Sequence, residues 1–210
     1  MHPNPAFRDV AQEKAIAFAR QRGFGILSIN GADGPLSAHI PFVLTADARS
    51  IHAHLVASNA LYRALPLDQD TPALLSVSGP DSYISPDWYG VDDQVPTWNY
   101  IAVNLRGQVR RAPQDQLHDY LAELSDAFEA RLAPKPVWRM DKLTPEVAAK
   151  MMRQIRPISI EISAVESTFK LGQNKPVAAR LSASGHVGEH GIGQEVRALQ
   201  SWMADPEQPI

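Results

Sequence analysis

Four polar residues on neighbouring segments have the side-chain types that bind a phosphate group. Ser58 and Asn59 follow an alternating segment and precede Leu61–Leu65, where a helix can begin, so free backbone N–H groups there could receive a dianion. Ser37 and His39 share a face of the preceding predicted strand and would add hydrogen-bond donors on that side. The alternative is that Ser58 or Asn59 only caps a helix. The sequence leaves both interpretations open.

Three histidines, His39, His52 and His54, fall on one face of two neighbouring predicted strands. A His-x-His pair in a strand points both rings to the same side, as a metal site would need. No carboxylate is interleaved to complete a ligand set, so we predict no metal ion and interpret these histidines as a polar surface or a cofactor wall.

A second histidine cluster lies near the C-terminal end of the chain. His186, Glu189 and His190 have the spacing of metal ligands on a helix. Glycines at positions 185, 188, 191 and 193 argue against a helix there. We therefore expect a mobile loop or tail in this segment.

Composition and missing motifs exclude several other kinds of chemistry. The chain of 210 residues has no cysteine, so disulfides and thiolate catalysis are excluded. It contains no Gly-x-Ser-x-Gly elbow, no P-loop and no dinucleotide-binding fingerprint. No run reaches the ~20 apolar residues of a membrane span, and we expect a cytoplasmic protein. A formal net charge of −3 opposes direct DNA binding.

The elements that must position these residues are mostly short strands. Period-two alternation predicts strands at 26–30, 36–45, 50–58, 73–78, 98–110 and 158–163. Helices are predicted at 9–21, 61–65 and 113–128, after Pro145, and near 195–203. A tight loop at 46–49 would bring the apolar faces of the strands on either side of it together. Many short strands with inserted helices favour a mainly β, antiparallel barrel over a doubly wound sheet.

Three runs of the sequence resemble the PaiB family of FMN-binding negative transcriptional regulators. They are Gly79–Tyr89 (GPDSYISPDWY), Val95–Tyr100 (VPTWNY) and Phe169–Pro176 (FKLGQNKP), in the family's order. The resemblance extends from about residue 7 to residue 180. The chain departs from the family's usual residue at three positions: Ala60 instead of Pro, Gly172 instead of Ser, and Lys175 instead of Arg.

The resemblance implies an FMN-binding split β-barrel that forms a homodimer, with the flavin at the seam between protomers. Nine residues are predicted to bind the cofactor: Ser37, His39, Ser58, Asn59, Trp98, Asn99, Gln173, Asn174 and Lys175. Trp98 and Asn99 would contact the isoalloxazine ring or its polar edge, and residues 173–175 would do so from the C-terminal part. Two alternatives remain. Trp98 could pack in the core or at the dimer contact, and residues 173–176 could form an ordinary loop.

The predicted organisation is an FMN-binding split-barrel domain over residues 1–180 and a C-terminal extension over 181–210, with a short helix packed on the barrel. The resemblance implies a negative transcriptional regulator or flavin-dependent sensor. A flavin-dependent oxidoreductase, and a haem-handling relative with His39, His52 or His54 as axial ligand, are alternatives. Because a flavin would itself carry the redox chemistry, the sequence assigns no catalytic residue and leaves enzymatic activity open.

Overall fold

A computed structural model describes residues 2–210, which contain six α-helices and six β-strands. The helices are α1 (Gln12–Arg22), α2 (Ala60–Ala64), α3 (Leu117–Glu129), α4 (Pro145–Met152), α5 (Val177–His190) and α6 (Val196–Ala204). The strands are β1 (Phe24–Gly31), β2 (Gly34–Leu44), β3 (Ser50–Val56), β4 (Thr71–Ile84), β5 (Thr97–Arg111) and β6 (Ile155–Lys170). A short 3₁₀ helix, Pro86–Tyr89, follows β4.

The strands form a closed barrel in the order β1-β2-β3-β6-β5-β4, with antiparallel pairing at β1–β2, β1–β4, β2–β3 and β3–β6. The mainly β, antiparallel barrel predicted from the alternation is therefore confirmed. In the β2–β3 hairpin, Val43 pairs with His52 and Leu44 with Ile51. This is the register that a loop at 46–49 requires, and it buries the apolar side of both strands.

The described residues separate into two compact units. The first unit contains the residues up to Arg22, Val77–Asn104 and Val165–Ile210, and the second contains Gly23–Ser76 and Leu105–Ala164. Strands β4, β5 and β6 each contribute residues to both units. The predicted helix near 195–203 is α6 of the first unit. The predicted domain boundary at residue 180 stays a prediction.

Each unit has its own apolar core. In the first unit Phe169 is buried and contacts Phe18 and Trp202 edge-to-face, with ring centroids 5.7 and 5.8 Å apart. In the second unit the inward faces of the strands are buried and aliphatic, as at Leu27, Leu75 and others. No helix within residues 2–210 has both the length and the apolar composition that a bilayer crossing requires.

The helix α5 corrects the expectation of a mobile loop around residues 185–190. It continues through Gly185 and Gly188 because tertiary packing outweighs the cost of ~1 kcal/mol per helical glycine. A Cβ at Gly188 would overlap the side-chain amide of Gln200 in α6, so the glycine lets the two helices approach. Ser184 Oγ donates a hydrogen bond to the Gln200 carbonyl oxygen at 2.8 Å and holds the same pair together.

Candidate functional site

Two of the predicted phosphate-binding residues lie on the outer face of β2 in the second unit. Ser37 and His39 are exposed, whereas Ala38 and Ile40 between and beside them are buried. His39 stacks on the ring of Phe24, with centroids 6.3 Å apart. The strand alternation predicted from the sequence thus presents both polar side chains on one accessible surface.

The structure shows a helix cap at Asn59, next to Ser58. The Asn59 side-chain oxygen accepts a hydrogen bond from the Leu61 N–H at 2.9 Å, and α2 that begins there has only five residues. Ser58 is exposed. The side-chain oxygen of Asn59 is therefore engaged in capping α2. The phosphate site at Ser58 and Asn59 stays a prediction.

A polar cleft of about 370 Å³ opens beside β3 in the second unit. Within it, His52 stacks on Tyr120 of α3, with centroids 4.0 Å apart, and its Nδ1 lies 2.7 Å from a carboxylate oxygen of Glu123. Arg110 and Arg111 also line the cleft. His52 is thus used to attach α3 to the barrel, which makes it a poor candidate for the axial ligand considered above.

Trp98 and Asn99 in the first unit lie on opposite faces of β5. The Trp98 residue is 47% exposed and meets Tyr83 edge-to-face at 6.3 Å, whereas Asn99 is only 1% exposed. The Asn99 amide donates to Met203 Sδ at 3.5 Å. Neighbouring strand residues point in opposite directions, so one flat ligand cannot contact both side chains from the same side of the strand.

The loop after β6 is held by its own side chains. Gln173 accepts a hydrogen bond from the Leu171 N–H at 2.8 Å and donates another to the Phe169 carbonyl oxygen. Gly172 has a φ of +81°, a conformation that glycine adopts readily and serine does not, so this departure from the family's usual residue fits the backbone. Gln173 therefore has a local structural role, and Asn174 beside it is exposed.

Two lysines that flank this loop form a cationic pair in the first unit. Lys170 donates to Thr97 Oγ1 and lies 5.8 Å from the ring centroid of Phe7. Lys175 donates to the side-chain oxygen of Gln94 and lies 5.3 Å from the ring of Tyr89. Within residues 2–210 neither ammonium group forms an ion pair. Each one contacts a neutral side-chain oxygen and an aromatic ring.

The charge of Lys175 acts on Lys170. Burial, and then the charge of Lys175, lower the pKa of Lys170 below its ordinary value. Lys170 lies inside the run that resembles the PaiB family, but sequence reasoning omitted it. The signal that could have indicated it was its position within that run, at the end of β6 and directly before the loop.

A family model described as "Putative FMN-binding domain" matches residues 1–164 of the chain. The chain belongs to this family of FMN-binding domains. The assignment confirms both the PaiB-type resemblance and FMN as the predicted cofactor. Lys170, Lys175 and helices α5 and α6 lie beyond the matched residues.

Similar proteins support the same fold. The "Protease synthase and sporulation protein PAI 2" of Bacillus subtilis is 28% identical over 171 residues, which cover 80% of each chain. The FAD and haem binding protein from Mycobacterium smegmatis is 16% identical with a TM-score of 0.57, over 89% of this chain and 81% of that one. A flavocytochrome from Azotobacter vinelandii is 16% identical with a TM-score of 0.59, over 80% and 72%. The split-barrel fold predicted for this FMN-binding chain is thereby confirmed.

The residues of the first unit suit an FMN molecule. Two ammonium donors provide positive charge for a phosphate dianion or for the electron-rich edge of the flavin ring. The rings of Phe7 and Tyr89 under the two ammonium groups are buried, so they position the lysines from below. The donor set therefore fits the cofactor of the family.

Proposed function

We propose that this FMN-binding chain is a flavin-dependent sensor and regulator of the PaiB type, and that Lys170 and Lys175 bind the negatively charged part of its cofactor. The observation that carries the proposal is the cationic pair, whose two charges repel each other and have only neutral partners. The description of the Bacillus subtilis relative as a protease synthase and sporulation protein supports a regulatory role.

An anionic partner would relieve the repulsion between the two lysines. A negative group placed between the ammonium groups would compensate both charges and raise the pKa of Lys170 towards its ordinary value. When FMN is bound, the flavin supplies the redox chemistry, and positive charge beside its ring favours reduction. Thr97 and Gln94 orient the two ammonium groups through their side-chain oxygens.

The experiment is a titration of the apo-chain with FMN and with riboflavin, followed by flavin fluorescence. A Lys170→Gln, Lys175→Gln double variant should weaken FMN binding by about 10- to 100-fold, the value of one charge-assisted hydrogen bond or more. Lys150→Gln, at an exposed lysine of α4, is the matched control and should bind FMN as the natural chain does.

The two ligands distinguish the phosphate from the ring edge. If the lysines bind phosphate, only FMN binding weakens in the double variant. If they bind the ring edge, riboflavin weakens equally and the reduction potential of the bound flavin falls. Unchanged FMN affinity in the double variant would refute this site. A selective loss of FMN affinity with Ser58→Ala, Asn59→Ala would instead place the phosphate at the cap of α2.

We further propose that the chain forms a homodimer through an apolar surface of the first unit. Trp98 contacts Tyr83 edge-to-face, Tyr83 pairs with Ile192 in an isolated bridge, and Ile192 is 65% exposed. Light scattering should return about twice the chain mass of 23.1 kDa. Trp98→Glu should give monomers because it places a charge in the buried contact. Leu67→Glu, at a 74% exposed leucine of the second unit, should leave the dimer intact.

Haem binding is a second candidate that one observation favours. His54 in β3 is half-buried, and burial lowers the pKa of its imidazole, which favours the neutral form that an iron ligand requires. Within residues 2–210 no hydrogen bond is recorded for its side chain. Haemin titration tests this function: a Soret band that disappears with His54→Ala supports it, and the absence of a band in the natural chain rules it out.

A further inference from the structure

We infer that His186 and His190 on α5 form a chelating site for a divalent transition-metal ion. Residues four apart on a helix lie on the same face, and the two imidazole rings are 6.3 Å apart between centroids and inclined by 27°. The sequence argued against a metal here because glycines disfavour a helix. The continuous α5 removes that objection, since it brings both rings to one face.

Trp88 holds one of the two rings in place. Its indole stacks on the His186 imidazole, with centroids 5.8 Å apart and planes inclined by 18°. Trp88 belongs to the 3₁₀ helix Pro86–Tyr89, which packs against α5, and Tyr89 at the end of that helix is buried. The stacking therefore restricts the rotamers of His186, so less side-chain entropy is lost when an ion binds.

The charges around the two histidines favour a cation. His190 is the last residue of α5, where the helix dipole places partial negative charge. The carboxylate of Glu189 lies 3.6 Å from His190 Nε2. Asp87, Asp92 and Asp93 line a cleft of about 390 Å³ in the segment that also carries Trp88. Negative charge at Glu189 and on this neighbouring segment attracts cations without supplying ligands.

The chemistry of the ligands selects the class of ion. Imidazole suits Cu²⁺, Ni²⁺ and Zn²⁺, whereas Mg²⁺ and Ca²⁺ prefer oxygen. Within residues 2–210 no group of three or more histidine, aspartate or glutamate side chains could hold a metal, so this is a two-histidine chelate. Two protein ligands leave coordination positions for water or a further ligand. Neither histidine is among the residues proposed above to bind FMN, and both lie beyond the residues matched by the FMN-binding family.

The test is calorimetric titration of the untagged, EDTA-treated chain with Cu²⁺, Ni²⁺, Zn²⁺ and Mg²⁺. One ion should bind per chain, Cu²⁺ more tightly than Ni²⁺, with no binding of Mg²⁺. His186→Ala or His190→Ala should lower the affinity for Cu²⁺ by at least ~10- to 100-fold. Loss of a residue that only hydrogen-bonds to a metal ligand already costs that much, and these variants remove a ligand itself. His118→Ala is the matched control, because His118 is an exposed helical histidine with no histidine four residues away.

Fluorescence locates the ion independently of affinity. Cu²⁺ bound at His186 should quench Trp88, and Trp88→Phe should remove that quenching while calorimetric binding persists, since the rings are in contact. The double variant His186→Ala, His190→Ala should keep its far-ultraviolet circular dichroism. Equal Cu²⁺ affinity in the double variant and the natural chain, or quenching that survives Trp88→Phe, would overturn the inference and place the ion elsewhere, for example at His2.

Discussion

The backbone of Gly107 in β5 lies directly against Glu161 of β6 in the second unit. A Cβ at Gly107 would overlap the carbonyl oxygen of Glu161 and lie 2.9 Å from its carbonyl carbon. Gly107→Ala should therefore destabilise the chain by about 3 kcal/mol, because the obstacle is backbone in a paired strand and cannot rotate away. Urea denaturation measures the change, and a loss below about 1 kcal/mol would show that β5 and β6 can separate at this point.

Gly185 of α5 provides the opposite case. Nothing lies within 4 Å of a Cβ at this position. Gly185→Ala should raise the free energy of unfolding by about 0.5–1 kcal/mol, because alanine loses less backbone entropy than glycine when the helix forms. The same denaturation experiment checks it. A destabilised Gly185→Ala chain would mean that α5 is not helical at residue 185 in solution.

The opposite orientations of Trp98 and Asn99 predict different consequences for stability. Asn99→Ala should cost about 1–3 kcal/mol because it leaves a void beside Met203 in the buried core. Trp98→Ala should change the stability of the monomer less, since that side chain is largely accessible. Thermal unfolding of both variants at concentrations below dimer formation separates the two effects. Equal losses would contradict the assignment of the two faces.

Strand alternation is the part of this fold that the sequence predicts well. One residue of slip between β2 and β3 would expose Ile40 and Phe42, so burial allows a single register and the loop length follows from it. The same rule could have separated Trp98 from Asn99, because neighbours in a strand never share a face. The prediction that both residues bind the cofactor rests on the family-like run that they share.

Long-range contacts are the part that the sequence could not supply. Lys170 and Thr97 are separated by 73 positions, and nothing in the alternation of either strand indicates that their polar atoms meet. The helix through Gly185 and Gly188 depends on the approach of Gln200 from α6. Local propensity argues against that helix, and tertiary packing decides in its favour.

His54 predicts a dependence of stability on pH. Burial lowers the pKa of its imidazole below the ordinary value of 6.5, so the unfolded chain takes up the proton first as the pH falls. The contribution of His54 to stability is complete above pH 6.5 and is lost as the pH falls from there towards the folded-state pKa. The melting temperature of the natural chain should thus fall on acidification from about pH 6.5 to pH 5.

A variant isolates this contribution from the protonation of carboxylates. His54→Gln cannot be protonated, so its melting temperature should fall less steeply than that of the natural chain over the same pH range, while carboxylates titrate equally in both. Parallel curves would show that the imidazole of His54 is as accessible to protons in the folded chain as in the unfolded one.

The charges of the arginines at the end of β5 bear on DNA binding. Arg110 lies 3.7 Å from the carboxylate of Glu161, and Arg111 stacks its guanidinium on Tyr62 at 4.6 Å, so both charges are partly engaged within the second unit. The chain carries a net charge of −3. Sequence-specific readers neutralise about 6–10 phosphates and bind more weakly as salt rises. We therefore expect this chain to bind duplex DNA only weakly and without sequence preference.

A quantitative gel shift at two salt concentrations measures this, with the duplex upstream of the chain's own gene and a scrambled duplex of equal length. Weak, equal and salt-sensitive binding to both would mean that regulation acts through a partner or through the state of the flavin. Nanomolar binding to the first duplex alone would contradict the prediction. Arg110→Ala and Arg111→Ala would then show whether the end of β5 contacts phosphates, because loss of a phosphate contact weakens both duplexes alike and lowers the salt dependence.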